Sequence, residues 1–305
     1  MSHARRHAVI DLGTNTFHLL IADIGGGVLR EVYRERRYVK LASDGIETIG
    51  REPYLRGLQA LEHYATILRQ HECEQVTAIG TAALRTASNG PTFVRAAKEA
   101  SGIAVQTISG DREAELITRG VLAAIPPPED RILIMDIGGG STEFIVADAE
   151  RVYYRESFPI GVGVLRNEFH HAEPIQALEL EALRGHLRQT LAPLSAALSI
   201  HPTRHLVGAA GTFDVLAELM RKPVASPHPT SHELDLSKFG PLRDRVLGMT
   251  LEQRLSIPGI PSERADMIVV AFVLLDFTLE LANVNRVTVS SYAMKEGILL
   301  DGMLA

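Results

Sequence analysis

One word occurs twice in this chain, 125 residues apart and without a gap. The first copy is Val9–Ile10–Asp11–Leu12–Gly13–Thr14–Asn15–Thr16, running into Leu19–Leu20–Ile21–Ala22–Asp23. The second is the apolar run Ile132 to Met135, then Asp136–Ile137–Gly138–Gly139–Gly140–Ser141–Thr142–Glu143, then Phe144 to Ala147 and Asp148. Asp11 aligns with Asp136, Gly13 with Gly138, Thr16 with Ser141 and Asp23 with Asp148. An apolar run, an aspartate, a glycine and hydroxyl turn and a second apolar run describe a β-hairpin. Glycines in such a turn allow φ > 0 and let several N–H groups point outward together, which makes an anion cradle. Asp136 and Glu143 flank the second cradle with carboxylates, the hard oxygen donors that suit Mg²⁺. A lone turn of this kind is a common hairpin. A pair in ungapped register predicts an internal duplication whose two phosphate turns face a shared cleft.

The bulk numbers narrow the setting. A length of 305 residues suits two domains of ordinary size, and 46% hydrophobic with 22% charged residues describes a globular chain with ample core. The net charge of −6 offers no global field for nucleic acid, so a polyanion must be met by a local patch. The single cysteine, Cys73, excludes an internal disulfide and suits a reducing compartment. The longest apolar run, Met267 to Leu275, is too short to span a bilayer and reads as a buried core helix. The start has no signal-peptide pattern. The expectation is a cytoplasmic protein that engages neither membrane nor nucleic acid.

Taken in order, each half reads as a strand meander followed by helix, strand and helix. Residues 7–40 hold three strands, and Arg30, Arg34, Arg36, Arg37 and Lys40 make a basic cluster that reads first as a solvated strand face. A helix covers 55–71, a strand 76–80, a Pro91-started helix follows, and a helix from about 112 to 125 ends at Pro126–Pro127–Pro128. That triple proline marks the boundary between domains 1–125 and 126–295. In the second half one long helix is expected over 175–198, kinked at Pro193, with Leu183, Leu187, Leu191, Leu194 and Leu198 on one stripe. The stripe serves a core or a homodimer equally. Residues 221–235 read as an irregular proline-rich loop, whose His228 and His232 are solvated rather than metal-bound. The predicted fold class is α/β: two ribonuclease-H-like domains related by duplication, with a cleft between them.

Five glycine or hydroxyl turns, at 11–16, 80–85, 136–143, 208–212 and 290–297, occur in the order of the signatures of the actin/Hsp70/sugar-kinase superfamily, which the chain resembles. In that superfamily the last helix returns to the first domain, so about 296–305 is assigned to domain one. The wording is more particular still. Asp11 to Thr16, Gly80–Thr81–Ala82–Ala83–Leu84–Arg85, Ile108–Ser109–Gly110–Asp111–Arg112–Glu113–Ala114 and Asp136 to Glu143 resemble the exopolyphosphatase/guanosine pentaphosphate phosphohydrolase (Ppx/GppA) family. Pro261 to Asp266 and Lys295–Glu296–Gly297 extend the resemblance over nearly the whole chain.

The resemblance implies Mg²⁺-dependent cleavage of phosphoanhydride bonds by water, with Mn²⁺ as the alternative metal. The substrate would be inorganic polyphosphate or, alternatively, the 5′ end of guanosine pentaphosphate. Glu113 matches the expected base and Arg85 the charge-neutralising arginine, whose fork suits phosphate. Asp136 and Glu143 would hold the metal, with Asp11 assisting. Gly13, Thr14, Asn15, Thr16, Gly138, Gly139, Gly140, Ser141, Gly211 and Thr212 would cradle phosphates. Taken without the resemblance, Glu113 is also what a helix dipole favours in a first turn, and Arg85 suits a structural ion pair. Two positions depart from the family pattern: His18 and Lys295 stand where arginines are usual. Longer members append a helical region that grips long polymers, so short polyphosphate or a nucleotide is the expected substrate here. The competing classes are an ATP-dependent kinase, which needs a roomy adenine pocket near 208–212, and a non-catalytic polyphosphate or nucleotide sensor.

Overall fold

The computed structural model describes residues 5–25, 28–220 and 228–304. The chain forms two compact units, Met1–Gly120 with Met294–Ala305, and Val121–Ala293. Each has its own apolar core.

The first unit opens with a meander of β1 (Arg5–Leu12), β2 (Thr16–Gly25) and β3 (Val28–Tyr38). Then come α1 (Arg51–Gln70), β4 (Gln75–Gly80), α2 (Ala82–Thr86), α3 (Gly90–Ser101), β5 (Val105–Thr107) and α4 (Gly110–Ala124), which carries the chain into the second unit. The sheet order is β3-β2-β1-β4-β5, with β1, β4 and β5 parallel and the meander antiparallel. β1 lies centrally, and Ala8 to Ile10 are fully buried, as an apolar run inside a sheet requires. α1 presents Gly57, Ala60, Leu61, Tyr64, Ala65 and Leu68 to this core at helical spacing. The basic cluster falls on and just beyond the edge strand β3, and its charges are largely met within the unit. Arg30 pairs with Asp23 at 2.8 Å, Arg34 with Glu31 and Glu296 at 2.8 Å, and Arg37 with Glu35 at 2.9 Å.

The second unit repeats the plan with β6 (Ile132–Ile137), β7 (Thr142–Ala147) and β8 (Val152–Phe158). Next are α5 (Val162–Phe169), α6 (Ala177–Thr190), α7 (Ala192–Ile200), β9 (His205–Ala209) and α8 (Ala210–Met220). β10 (Ser231–Glu233), α9 (Phe239–Leu247), α10 (Leu251–Leu255), α11 (Ile268–Leu281) and β11 (Arg286–Ser290) complete it. α12 (Met294–Leu304) belongs to the first unit. The sheet runs β10-β11-β9-β6-β7-β8, so β8-β7-β6-β9-β11 copies the order of the first unit. α11 is buried on every side from Ile268 to Thr278, as its unbroken apolar run foretells. Among the described residues no helix is long and apolar enough to cross a membrane.

Two expectations are corrected. The helix over 175–198 is not kinked but divided: Leu191, at φ −90° and ψ 14°, ends α6 and starts α7, and Pro193 occupies the first turn of α7. A proline lacks the N–H that would continue the helix, and a first turn does not need it. The leucine stripe survives the break, and all five leucines join the core. The proline-rich stretch is also not loop throughout. Residues 221–227 lie outside the described residues, but Ser231–Glu233 pairs antiparallel with β11 and so places His232 on a strand.

Candidate active site

In open α/β sheets, ligand-binding groups gather beyond the carboxyl ends of the parallel strands. In the first unit those ends carry the turn after β1, α2 after β4 and the start of α4 after β5. Gly13 N–H donates to the Thr16 carbonyl at 3.2 Å, closing the turn. A Cβ on Gly13 would stand 2.8 Å from that same oxygen. The Thr14 hydroxyl accepts the Ala83 N–H at 3.2 Å, which ties α2 to the turn and leaves the hydroxyl proton free to donate. Asn15 fastens the chain after β3, its carbonyl taking the N–H groups of Val39 and Lys40 at 3.0 and 2.9 Å.

Arg85 and Glu113, far apart in sequence, meet here. Arg85 Nη1 donates to Glu113 Oε2 at 3.2 Å and to the Ile108 carbonyl at 2.8 Å. Ser109 caps α4, its Oγ accepting the Arg112 N–H at 3.2 Å, and so sets Glu113 in the first turn. Glu113 is buried, and Arg85 is part-exposed with its Nε and Nη2 free of intramolecular acceptors among the described residues. Asp11 sits opposite His18 on β2. Burial pushes its carboxyl up to about 6, with Lys295 pulling down and Glu296 adding to the rise. Lys295 and Glu296, at the start of α12, are both buried.

The second unit repeats the bond that closes the turn. Gly138 N–H donates to the Ser141 carbonyl at 3.0 Å, and a Cβ on Gly138 would lie 2.9 Å from it. This corrects the expected role of the glycines. None of Gly13, Gly138, Gly139 and Gly140 adopts the left-handed backbone, which among the described glycines falls at Gly45, Gly102 and Gly259. At Gly13 and Gly138 the requirement is close approach of the backbone to itself, and both N–H groups are spent inside the turn. The outward donors that remain are the N–H groups of Thr14, Gly139 and Gly140, for which the described residues supply no acceptor.

Asp136 and Glu143 are directly opposite across β6 and β7, 7% and 2% exposed. Glu143 Oε1 accepts from Ser141 Oγ at 2.6 Å and Ser157 Oγ at 2.7 Å. Two buried carboxylates face to face repel unless a cation or proton intervenes. The sequence reading left out the floor of this turn. Val162 and Gly163 N–H donate to the Gly138 and Gly139 carbonyls at 3.0 and 2.9 Å, and a Cβ on Gly161 would lie 2.4 Å from Gly139 C and Gly140 N. The G-x-G run after β8 was its signal.

The third turn of this unit joins β9 to α8. Ala210 has φ 63°, left-handed for a residue with a Cβ. Gly211 lies under the Arg264 guanidinium, where a Cβ would fall 1.7 Å from Nη2, and Thr212 is buried in the first turn of α8. A left-handed alanine costs about 1–2 kcal/mol, while alanine over glycine recovers roughly 0.4–1 kcal/mol of unfolded-chain entropy. Ala210→Gly is therefore expected to raise the denaturant midpoint, a net gain of roughly 0.5–1 kcal/mol. An unchanged or lower midpoint would show that the turn carries no strain.

Among the described residues no three His, Cys, Asp or Glu side chains group as a metal site. The Asp136–Glu143 pair still suits Mg²⁺, which is commonly held by one or two carboxylates and completed by water and substrate phosphates. A separate groove of about 540 Å³ lies at the opposite ends of β6, β9 and β11, lined by Arg131, Arg204 and Arg286 with Glu129, Asp130 and Asp148, and holds none of the expected site residues.

Similarity to known proteins speaks to the family and the fold. Residues 20–305 match the Ppx/GppA phosphatase family. The chain is 32% identical over 314 aligned positions to Exopolyphosphatase 2 of Mycobacterium tuberculosis, covering 97% of this chain and 98% of that one. A crystal structure of an exopolyphosphatase from Cytophaga hutchinsonii superposes with a TM-score of 0.93 at 39% identity, covering 98% of each chain. The Aquifex aeolicus member of the Ppx/GppA family superposes at 0.81 with 24% identity, again over 98% of each chain, which speaks to fold alone. The architecture is thus the actin-like pair of ribonuclease-H-like domains, and the chain belongs to the Ppx/GppA phosphatase family, hydrolases of phosphoanhydride bonds.

Proposed function

We propose that this protein is a Mg²⁺-dependent exopolyphosphatase that releases orthophosphate from the end of inorganic polyphosphate. The observation that carries the proposal is the buried Glu113 carboxylate held by Arg85 Nη1 at 3.2 Å in the same unit as the first turn, whose Thr14 N–H is unspent. Glu113 takes a proton from the attacking water. The oxygen bonds to the terminal phosphorus, the bond to the bridging oxygen breaks, and the shortened chain leaves with the electron pair. The free Nε and Nη2 of Arg85 meet the terminal phosphate as a fork. Thr14, Asn15 and Thr16, with Gly139, Gly140 and Ser141, hold phosphate oxygens through N–H and hydroxyl groups. Gly13 and Gly138 shape the turns, and Gly211 and Thr212 complete the cradle. Asp136 and Glu143 are the residues that would hold Mg²⁺, with Asp11 assisting, and the ion would supply charge neutralisation at the anhydride oxygens.

The polyphosphate substrate is brought here from the relatives named exopolyphosphatase. The kinase reading is weakened by the Arg264 guanidinium, which lies against Gly211 in the turn where an adenine pocket would have to open. The test is orthophosphate release by the purified protein from tripolyphosphate, long-chain polyphosphate, guanosine pentaphosphate and ATP in parallel, with Mg²⁺, with Mn²⁺ and with EDTA. Release from polyphosphate that needs the divalent ion is the expected result. Release from guanosine pentaphosphate alone would move the enzyme to the nucleotide branch, and turnover of none would leave a sensor.

A further inference from the structure

α5 joins two features of the second unit. Its start is hydrogen-bonded to the Gly138 and Gly139 carbonyls of the phosphate turn. Its end is His170, which is fully buried. Four buried polar atoms without a hydrogen bond gather around that end: both ring nitrogens of His170, Arg166 Nε and Glu173 Oε2. His170 Nε2 stands 3.5 Å from Glu173 Oε1, an oxygen already committed to Arg254 Nη2 at 2.7 Å. Arg254 is itself fully buried, donating to the Ala265 and Met249 carbonyls at 2.8 and 2.6 Å. Arg166 Nη1 reaches the His170 carbonyl.

The charged groups that act on the ring come from every neighbouring element: Arg166 from α5 itself, Glu173 from the following loop, Glu179 from α6 and Arg254 from α10. α6 also sets His186 against Phe169, ring centroids 5.0 Å apart. The acidic residues of α11, Asp276 and Glu280, are engaged by Arg184 and Arg243. A proton on His170 would therefore add a third cation to the buried Arg254 and the half-buried Arg166, with one carboxylate largely claimed. Buried, incompletely paired charge is strongly unfavourable, and a packed cluster of this kind shifts rather than absorbs it.

We propose that uncharged His170 is the positioning residue that seats α5 beneath the second phosphate turn, and that protonating it unseats the helix and loosens that turn. Burial is the largest influence on the ring and pushes its pKa below the ordinary 6.5; Glu173 opposes, Arg166 and Arg254 reinforce, and Glu179 opposes. A base whose folded pKa is depressed stabilises the fold fully above its unfolded value, and this contribution is lost as pH falls below about 6.5. Acid, not alkali, should release the turn.

The idea rests on the phosphate-binding reading of the turn, but its test does not need turnover. Amide hydrogen exchange of Val162 and Gly163, corrected for intrinsic rate, is measured on the whole protein from pH 7.5 to 5, with the His170 ring followed by NMR. In the wild type, protection of both amides should fall at least tenfold as His170 takes up its proton. In Glu173→Gln the fall should come at lower pH, because the carboxylate that favours the proton is gone. In His170→Gln it should be absent. Protection that stays level while His170 titrates, a ring that stays neutral to pH 5, or an equal acid loss in His170→Gln would each overturn the proposal. Should His170→Gln fail to fold, the wild-type titration and the Glu173→Gln shift still decide.

Discussion

Glu113→Gln is expected to lower phosphate release from polyphosphate by roughly 10²–10⁴-fold, the usual contribution of a general base. The amide keeps the size of the carboxylate and can still accept from Arg85, whose Nη1 also retains the Ile108 carbonyl at 2.8 Å. The α4 cap at Ser109 is untouched. Thermal unfolding should therefore change little, and KM should stay within a few-fold, because the loss falls on proton removal and not on phosphate binding. A variant that keeps more than a tenth of the wild-type kcat would remove Glu113 from the role of base. A variant that loses binding and chemistry together would place it in the phosphate cradle instead.

Gly161→Ala is the second large effect, and it acts without touching any group that reacts. The added methyl would stand 2.4 Å from Gly139 C and Gly140 N and 2.5 Å from the Gly139 carbonyl oxygen, all backbone atoms. Backbone cannot rotate aside, and the N–H groups of Val162 and Gly163 hold the two segments together from below. The turn must lift or α5 must withdraw. Overpacking of this kind costs about 1–3 kcal/mol, and misplacing a binding group by ~1 Å costs on the order of 10²-fold in rate. Gly185→Ala in α6 is the control, since a Cβ there meets nothing within 4 Å. That variant should keep full activity and gain up to about 1 kcal/mol of stability from helix propensity. Activity in Gly161→Ala equal to that of the control would show that the second turn tolerates displacement and takes no part in holding phosphate.

Parts of this molecule are legible without coordinates, for physical reasons. A hairpin with a glycine turn is a local object, so two copies in register announce two similar units. The apolar run that became α11 could be nothing but buried, being apolar on every face. Pro193 announced a disturbance in its helix, though the choice between bend and break fell to Leu191, whose backbone leaves the helix there. β10 carried little signal: three residues make a strand only because β11 offers an edge to pair with. Arg254 reads as an ordinary solvated charge in a short helix, yet it is fully buried, held by Glu173, 81 residues away in sequence. No local pattern encodes a partner at that separation.

The candidate site divides in the same way. The residue types were determined by sequence, because phosphate chemistry calls for carboxylates, a guanidinium, hydroxyls and glycine turns: the duplicated word supplies an aspartate, a glycine turn and a hydroxyl at matching positions, and Arg85 and Glu113 stand outside it. Which donors are spent and which remain was decided by tertiary structure. The Gly13 and Gly138 amides close their own turns, the Thr14 hydroxyl is fastened to α2, and Glu113 meets Arg85 only because the ends of β4 and β5 lie side by side. A hydrogen bond depends on where the partner stands in space, and for these atoms that position is fixed by strand pairing across the sheet, not by neighbours along the chain.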